Sequence, residues 1–282
     1  MDNLGNQVEL RTSSDFVGIE VTRSVRHGMA GPARLHDRWT LSLLEDGEEQ
    51  LWRHGALETE TTGQVAIYAP GEIEVVLRRR TTPSRRIDVC FDQVPLPTRA
   101  SEGPPATEPP APADVAQAVV RFAAAAIARN GTGVAEQALR TLGAALRAAP
   151  SEPSSRAEPG SVARARRFLL GHPNARVNLR ELADVAGISE GHLVRIFHAW
   201  VGVPPHTYLL HLRVSAARKL LARGLPCGAA AQDAGFADSS HLTRLFRRLL
   251  GFTPSHYSEA RSVWEAHHAA VSRWSRPVSV AV

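Results

Sequence analysis

Between residues 15 and 92 the chain alternates short apolar or β-branched runs with glycine-containing turns. The runs cover residues 39–44, 51–54, 57–61, 65–68 and 72–77, and the turns between them fall at Gly47, Gly55, Gly63 and Pro70–Gly71. Short β runs at nearly regular spacing are typical of a small barrel or a sandwich. The pattern therefore predicts a small all-β domain over residues 1–92.

The next segment changes from strand to helix periodicity. Residues 93–112 are rich in Pro, Ala, Glu and Ser, which is typical of a linker. Two alanine-rich helical stretches follow at about 113–129 and 134–148, and a second polar linker covers 150–160. The first stretch places one set of apolar residues on a single helix face, namely Val115, Val119, Phe122, Ala126 and Ile127. One interpretation of this helical segment, 113–149, is that it packs against the β domain.

The strongest feature of the sequence is an internal repeat with an offset of 49 residues. Seven residues recur at this offset: His192, Leu193, Arg195, Phe197, Gly202, Pro205 and Tyr208 return as His241, Leu242, Arg244, Phe246, Gly251, Pro254 and Tyr257. Seven identities at one register in so short a window are hard to obtain by chance. The C-terminal part therefore contains two copies of one structural unit.

The first copy, about 179–200, predicts two short helices with a tight turn between them. Residues 179–186 form an amphipathic helix, Gly187 supplies a left-handed turn and Ser189 is suited to cap the next helix. That helix buries Leu193, Ile196, Phe197 and Trp200 at helical spacing. Its opposite side presents Gly191, Val194, Arg195 and His198.

The second copy, about 227–250, repeats this plan. A short helix over 229–234 is followed by a turn at Gly235–Phe236 and a cap at Asp238. Leu242, Leu245, Phe246 and Leu249 point inward, whereas Ser240, Thr243, Arg244 and Arg247 point outward. A short helix, a turn and a second helix with a polar, cationic face are typical of a helix-turn-helix. Such a helix fits the DNA major groove, where Arg can pair with guanine.

The spacing between the copies agrees with this interpretation. Residues 204 to about 223 predict one helix, which at 1.5 Å per residue is about 30 Å long. One turn of B-DNA is about 34 Å. We therefore expect the two motifs to reach successive major grooves.

Charge is distributed unevenly along the chain. Residues 161–282 contain 16 of the 33 Lys and Arg residues but only 7 of the 28 Asp and Glu residues, which gives this part a net charge of about +9 and leaves residues 1–160 at about −4. The asymmetry favours a polyanionic partner for the C-terminal part.

Residues 161–260 resemble the DNA-binding domain of the AraC/XylS family of bacterial regulators. The strings that carry the resemblance are LADVAGISEGHLVRIF (182–197), AGFADSSHLTRLF (234–246) and GFTPSHY (251–257). The resemblance implies DNA contacts from Gly191, His192, Val194, Arg195, Ser240, His241, Thr243 and Arg244, and the outward faces add His198 and Arg247. Gly191 and Val194 stand where relatives often have larger or polar readers. We therefore expect the first motif to position the protein, with Arg195 on a phosphate, more than to specify sequence.

The remaining segments fit the same family less closely. Residues 261–282, with Trp264 and Trp274, extend beyond the usual family end and predict an extra packed segment. The β pattern is similar to the cupin-like sensor barrel of the family, so the resemblance implies a two-domain α+β protein: a small cupin-like β-barrel with helices, and an all-α C-terminal domain. A small barrel can enclose one ligand. The candidate lining residues are His36, Trp39, Trp52 and Tyr68, with barrel core as the alternative for each.

Other classes find less support in the residues. A metal-dependent cupin enzyme needs about three converging ligands, but His27, His36 and His54 are scattered and the next histidine is His172. No catalytic grouping stands out, so we expect no enzyme, metal or cofactor. The two cysteines, Cys90 and Cys227, are far apart and predict reduced thiols. The lack of a long apolar run and of a signal-peptide pattern predicts a cytoplasmic protein without a membrane span.

These observations lead to three hypotheses. The first is a one-component regulator with a small-molecule effector in the barrel, which binds double-stranded promoter DNA. The family resemblance implies for it a homodimer through residues 113–148, and RNA polymerase as partner if it activates. The second is a constitutive architectural DNA-binding protein whose barrel mediates only protein contacts. The third is an enzyme fused to a DNA-binding module.

Overall fold

The computed structural model of the chain describes residues 7–12, 19–27, 30–80, 83–91, 112–128, 137–144 and 158–259. Within these residues the strands are β1 (Gln7–Thr12), β2 (Ile19–Arg26), β3 (Arg34–His36), β4 (Trp39–Asp46), β5 (Glu48–Arg53), β6 (Ala56–Thr61), β7 (Val65–Tyr68), β8 (Glu72–Arg79) and β9 (Ser84–Phe91). The helices are α1 (Pro112–Ala128), α2 (137–144), α3 (Gly160–Gly171), α4 (Leu179–Ala186), α5 (Glu190–Val201), α6 (Pro205–Ala222), α7 (Cys227–Asp233), α8 (Ser239–Leu250) and α9 (254–259). The predicted linkers and the extension at 261–282 lie wholly or largely outside the described residues.

The strands form two antiparallel sheets. Sheet 1 has the order β1-β2-β9-β4-β7, and sheet 2 has the order β3-β8-β5-β6. The predicted β domain is confirmed, but the pairing among the described strands leaves both sheets open, so these strands do not form a closed barrel. The chain changes sheet at Gly47, which has a φ of 123° and lies between β4 and β5. The alternation of runs and turns predicts where strands begin and end, but not which edges stay unpaired.

The two faces of sheet 1 have opposite chemistry. Successive side chains of a strand point to opposite faces of the sheet. On β4, Leu41 and Leu43 belong to a buried apolar cluster, whereas Ser42 between them bonds to Asp88 on β9. The paired strand β9 alternates in the same way, with Ile87 apolar. One face of sheet 1 is therefore an apolar surface and the other is polar.

Helices α1 and α2 cover the apolar face of sheet 1. Val115, Val119 and Phe122 of α1 are buried in the same cluster as the strand residues, and α2 adds Ala138 and Leu142. The apolar face of α1 is therefore buried against the β domain. The side chains of Ala126 and Ile127 lie outside the described residues.

Sheet 2 also carries its apolar face outward, where it meets α3–α6. Ile73 of β8 shares a buried cluster with Leu169, Phe197 and Tyr208 of the helices, and Val75 packs at its margin. The helices that follow the β domain therefore extend the hydrophobic core instead of standing apart from the sheets.

The faces between the sheets carry charged residues that pair across the gap. Arg86 of sheet 1 lies 2.8 Å from Glu49 and 2.5 Å from Glu60, both on sheet 2. In the opposite direction, Arg34 of sheet 2 lies 2.5 Å from Asp88 of sheet 1. The interior of the two-sheet domain is thus ionic, and both apolar faces are turned towards helices.

The described chain groups into two compact units. The first is made of Met1–His172 and Val177–Leu212, and the second of Pro173–Arg176 and Arg213–Val282, so the division falls within α6. The second unit holds α7 and α8. Arg213 donates through Nε to the carbonyl oxygen of Pro173 at 3.1 Å, which joins the two segments of this unit.

Candidate nucleic-acid interface

The first predicted motif is the pair α4 and α5. The Asn178 side chain accepts a hydrogen bond from the Glu181 amide and caps α4. Gly187 ends α4 in the left-handed conformation, with a φ of 69°, as predicted for the turn. Ser189 takes the N-cap position of α5 but makes no side-chain capping bond. The two helices and their turn form as the sequence predicts.

The outward face of α5 is open to solvent. Gly191, His192, Arg195 and His198 are exposed, and Val194 is partly buried. The apolar side holds Leu193 and Phe197, both at 0% exposure. The structure therefore separates the predicted DNA-contacting set from the core residues of this helix, with Val194 at the boundary.

The second motif is the pair α7 and α8. Gly235 turns the chain with a φ of 80°, and the Asp238 side chain accepts a 2.8 Å bond from the His241 amide at the start of α8. Leu242, Leu245 and Phe246 are buried. Both the turn and the cap lie where the sequence predicts them.

The predicted set on α8 is not equally free. Ser240, Arg244 and Arg247 are exposed. His241 is half-buried with its ring edge against Phe236, at 5.3 Å between ring centroids. Thr243, also half-buried, donates its hydroxyl to the carbonyl oxygen of Ser239 at 2.7 Å, which leaves its methyl group as the freer part.

The two helices differ in charge. Helix α8 contains Arg244, Arg247 and Arg248, all exposed, and no acidic residue. Helix α5 contains one arginine, Arg195, and one acidic residue, Glu190. Because the affinity for a phosphate backbone grows with the number of cations that contact it, α8 is the stronger electrostatic element. Arg248 was not among the predicted contacts, although its place in an Arg-Arg pair was visible in the sequence.

The connecting helix α6 runs from Pro205 to Ala222, within a residue of its predicted ends. Its 18 residues correspond to about 27 Å.

Comparison with known proteins agrees with these motifs. A family model described as a helix-turn-helix domain matches residues 182–260. A putative AraC-like transcription regulator of Streptomyces antibioticus is 36% identical over 97 residues, which are 34% of this chain and 32% of that protein. Residues 182–260 are an AraC-type helix-turn-helix domain. The prediction of this family for the C-terminal part is confirmed.

Other relatives match segments of about the same length. The probable transcriptional regulator LumQ of Photobacterium leiognathi is 33% identical over 91 residues, or 32% of this chain and 37% of LumQ. The regulator RipA of Corynebacterium diphtheriae is 36% identical over 104 residues, or 37% of this chain and 31% of RipA. The matched segment spans about a third of these relatives. The relatives are transcription regulators rather than enzymes.

One solved structure is similar over most of the chain. ToxT from Vibrio cholerae strain SCE256, solved with a bound unsaturated fatty acid, has a TM-score of 0.52 and covers 88% of this chain and 96% of its own, at 12% identity. A likeness at this identity concerns the fold alone. The overall arrangement of strands and helices in this chain is therefore similar to that of a known structure.

The predicted ligand residues fall into two groups. His36 and Tyr68 lie between the sheets, both buried, with parallel rings whose centroids are 3.8 Å apart. Trp39 instead packs on the apolar face of sheet 1, and the Trp52 indole donates to the carbonyl oxygen of Ala199 on α5. The structure therefore brings His36 and Tyr68 together and places the two tryptophans elsewhere.

Charged residues surround this pair. Burial alone would raise the pKa of Glu74, but the charges of Arg34 and Arg86 hold it well below its usual range. Burial raises the pKa of Tyr68, and the nearby charges of Glu74 and Glu60 raise it further. Glu74 therefore stays ionised and Tyr68 stays protonated at neutral pH.

Histidine and aspartate in the same interior respond differently. Burial, together with the charge of Arg34, lowers the pKa of His36, so this ring is neutral at pH 7. Burial would raise the pKa of Asp88, but Arg34 beside it brings the value to about 2. The interior is thus a set of fixed charges around a neutral His36–Tyr68 pair.

The charged interior has a counterpart in the sequence pattern of the strands. The alternate positions of β5, β8 and β9 carry Glu49, Glu74, Arg86 and Asp88, a pattern that normally indicates a solvated face. Because helices cover both apolar faces, the charged faces that meet between the sheets are buried as well. Recognising this requires knowledge of what covers the other face.

Two further findings limit the chemistry of the described residues. Within the described part of the chain, no group of three or more His, Cys, Asp or Glu residues is placed to hold a metal ion. No helix of that part is both long and apolar enough to cross a lipid bilayer. The partly buried Cys90 has a pKa that burial raises to about 12, so its thiol stays protonated.

Proposed function

We propose that the full chain is a transcription regulator that binds double-stranded promoter DNA through both helix-turn-helix motifs. The single observation that carries the proposal is the outward face of α8, where Ser240, Arg244 and Arg247 are exposed on a helix held by a capping aspartate and a tight turn. Arginine forks suit guanine edges and phosphates. The match of residues 182–260 to the AraC-type domain supports the same function.

The test is a selection of genomic DNA fragments by the purified full chain, followed by sequencing of the bound fragments. We expect one motif to be enriched, with a strong decrease of affinity as salt is raised, because cations on the protein displace counterions from DNA. Recovery of fragments without a common motif would contradict specific binding and favour an architectural DNA-binding role.

We further propose that a small polar molecule bound between the sheets controls this activity. Several buried polar atoms there have no hydrogen bond among the described residues, namely Ser24 Oγ, Glu60 Oε1, Tyr68 Oη, Glu72 Oε2 and Glu74 Oε1. Of these, Glu60 Oε1 has a longer ion-pair contact with Arg53 at 3.7 Å, and Glu74 Oε1 has one with Arg26 at 3.6 Å. Burial without a partner is costly for such groups. A ligand with several hydrogen-bond donors would satisfy the carboxylate oxygens.

The charged interior argues for a polar effector and against an apolar one. ToxT, which has a similar fold, was solved with an unsaturated fatty acid. In the present chain an alkyl chain between the sheets would lie against Glu74 and Arg86, each about 0–1% exposed and ionised. An apolar chain would exclude water from this region without supplying a hydrogen bond to Glu74 Oε1, which has none among the described residues. We therefore favour a ligand of the polyol, sugar or amine type.

A melting experiment tests the effector proposal on the full chain. We expect at least one polyol, sugar or primary amine to raise the melting temperature and to change the affinity for DNA. A ligand present at a hundred times its Kd adds about 2.7 kcal/mol to the free energy of unfolding. The response should disappear in the Tyr68→Phe variant, because this substitution removes the Tyr68 hydroxyl that has no hydrogen bond among the described residues. It should persist in the Tyr257→Phe variant. Stabilisation by an unsaturated fatty acid alone, or by no compound, would contradict the proposal.

The proposal includes a homodimer and, if the regulator activates, a contact with RNA polymerase. The apolar face of α1 is used by sheet 1, so a dimer contact through α1 would use its outer face, where Gln117, Val120 and Arg121 are exposed. Linking two DNA-binding units would raise their effective concentration on DNA.

A further inference from the structure

The C-terminal end of α5 is held by the turn between β5 and β6, and both lie in the first compact unit. The indole Nε1 of Trp52 donates to the carbonyl oxygen of Ala199 at 3.1 Å. The backbone N–H of Gly55 donates to the carbonyl oxygen of Trp200 at 3.0 Å. The last four carbonyl groups of an α-helix have no partner within the helix. The end of β5 and the turn after it therefore supply two donors that α5 lacks.

Glycines on both sides make this close approach possible. Gly55 has a φ of +74°, and a Cβ built on it would lie 2.9 Å from the ring of Trp200. Gly202 has a φ of +87°, and its Cβ would lie 2.8 Å from Val75 of sheet 2. Any larger residue at either position would have to displace a packed side chain. The close packing between the end of α5 and sheet 2 therefore depends on a glycine on each side, Gly55 and Gly202.

A third hydrogen bond connects the start of α6 to the turn before β8. The hydroxyl of Tyr208 donates to the carbonyl oxygen of Gly71 at 2.7 Å, in the turn between β7 and β8. Tyr208 is fully buried, and its ring meets that of Phe197 on α5 edge to face, at 5.5 Å between centroids. The tyrosine thus connects α5 to the sheet as well.

The internal repeat shows that these contacts do not belong to the motif as such. Gly251, the counterpart of Gly202, has nearly the same φ of +88°, yet an added Cβ would meet nothing within 4 Å among the described residues. Tyr257, the counterpart of Tyr208, stacks on Phe252 with the rings 9° from parallel. At these two positions the contacts are therefore a property of the first copy and not of the repeated motif.

We infer that Trp52, Gly55 and Tyr208 are positioning residues that fix α5 for DNA reading. The contact uses the end of α5 and leaves its outward face, with His192 and Arg195, exposed. It therefore holds the helix without covering the surface that would meet DNA. The inference rests on the proposed DNA binding, and it adds that contacts with the β domain fix the position of α5 in the first motif.

The first test compares Tyr208→Phe and Trp52→Phe with Tyr257→Phe, all in the full chain. The first two substitutions each remove one hydrogen-bond donor and keep an aromatic ring. We expect them to lower affinity for the selected DNA site roughly 2–10-fold, the range for loss of one hydrogen bond. The base pairs read by α5 are identified as those at which His192→Ala weakens the sequence preference. Tyr208→Phe and Trp52→Phe should lower discrimination at these same base pairs. Tyr257→Phe should leave discrimination at those base pairs unchanged.

The second test uses the two equivalent glycines. Gly202→Ala and Gly251→Ala impose the same backbone strain, because the φ values differ by about a degree. Only Gly202→Ala also presses on the sheet. We expect it to disturb discrimination at the base pairs assigned to α5, whereas Gly251→Ala should leave those base pairs unaffected.

The outcomes separate this inference from the function beneath it. Lower melting temperatures with unchanged discrimination would mean a purely structural contact and would overturn the inference alone. A higher affinity for DNA after Tyr208→Phe would also overturn the inference alone, because the contact would then hold α5 in a position that disfavours DNA binding. Failure of the unaltered chain to select any DNA motif would overturn both the inference and the proposed function.

Discussion

Replacement of Arg86 by methionine should lower the free energy of unfolding by about 3–5 kcal/mol, the usual cost of removing one partner of a buried ion pair. Arg86 is fully buried, lies 2.8 Å from Glu49 and 2.5 Å from Glu60, and donates to the Ser42 hydroxyl. Methionine fills a similar space but leaves two carboxylates without their shared cation. Urea unfolding of the full chain, followed by tryptophan fluorescence, measures the loss.

The neighbouring residue supplies the matched control. Arg85 stands next to Arg86 on β9, is half exposed, and lies 3.9 Å from Asp46, which is also exposed. An exposed pair of this kind contributes about 0–1 kcal/mol, so Arg85→Met should change stability little. Similar losses for Arg85→Met and Arg86→Met would contradict the buried network between the sheets.

The strands were predictable, but their buried face was not. The runs at 39–44 and 65–68 were visible because apolar residues alternate with polar ones between glycine turns, and β4 and β7 lie there. The same alternation of apolar and polar residues does not indicate which face of a strand is exposed to solvent. Sequence reasoning therefore placed Trp39 and Trp52 beside His36 and Tyr68, whereas alternate positions and covering helices separate them.

The helix-turn-helix motifs were predictable in more detail because their signals are local. Gly187 and Gly235 mark turns that need a positive φ, and Asp238 accepts a bond from an amide three residues on. Each signal depends on a few consecutive residues. The contact of Trp52 with Ala199 joins residues 147 positions apart. Nothing in either segment alone indicates it.

The polar interior and the contact at α5 belong to the same compact unit. Glu72 on β8 is the counterpart of His36 in the strand pairing and lies 3.4 Å from His54, beside the Gly55 turn. The carbonyl oxygen of Gly71, immediately before Glu72, accepts the bond of Tyr208. A ligand that engages the unpartnered oxygen of Glu72 would therefore act next to the turns that hold α5.

Replacement of Arg244 by alanine should weaken binding to the selected DNA site by about 1–3 kcal/mol if its guanidinium reads a base. The residue is exposed in the middle of α8, between Thr243 and Leu245, where the outward face of the second motif would enter the major groove. Discrimination should relax at one base pair, while the affinity for unrelated DNA should fall much less. Titrations against the selected site and its single-base variants measure both effects.

Arg195 is the counterpart of Arg244 in the repeat and provides the contrast. It is exposed on α5, whose neighbouring outward residues Gly191 and Val194 offer few hydrogen-bonding groups. A phosphate contact there carries no sequence information. Arg195→Ala should therefore weaken binding to all DNA sequences alike, and it should reduce the slope of log affinity against log salt concentration by about one. Arg23→Ala, on the β domain, controls for the lost charge. If Arg195→Ala relaxed one base pair as strongly as Arg244→Ala, Arg195 would read a base and the expected phosphate contact would be wrong.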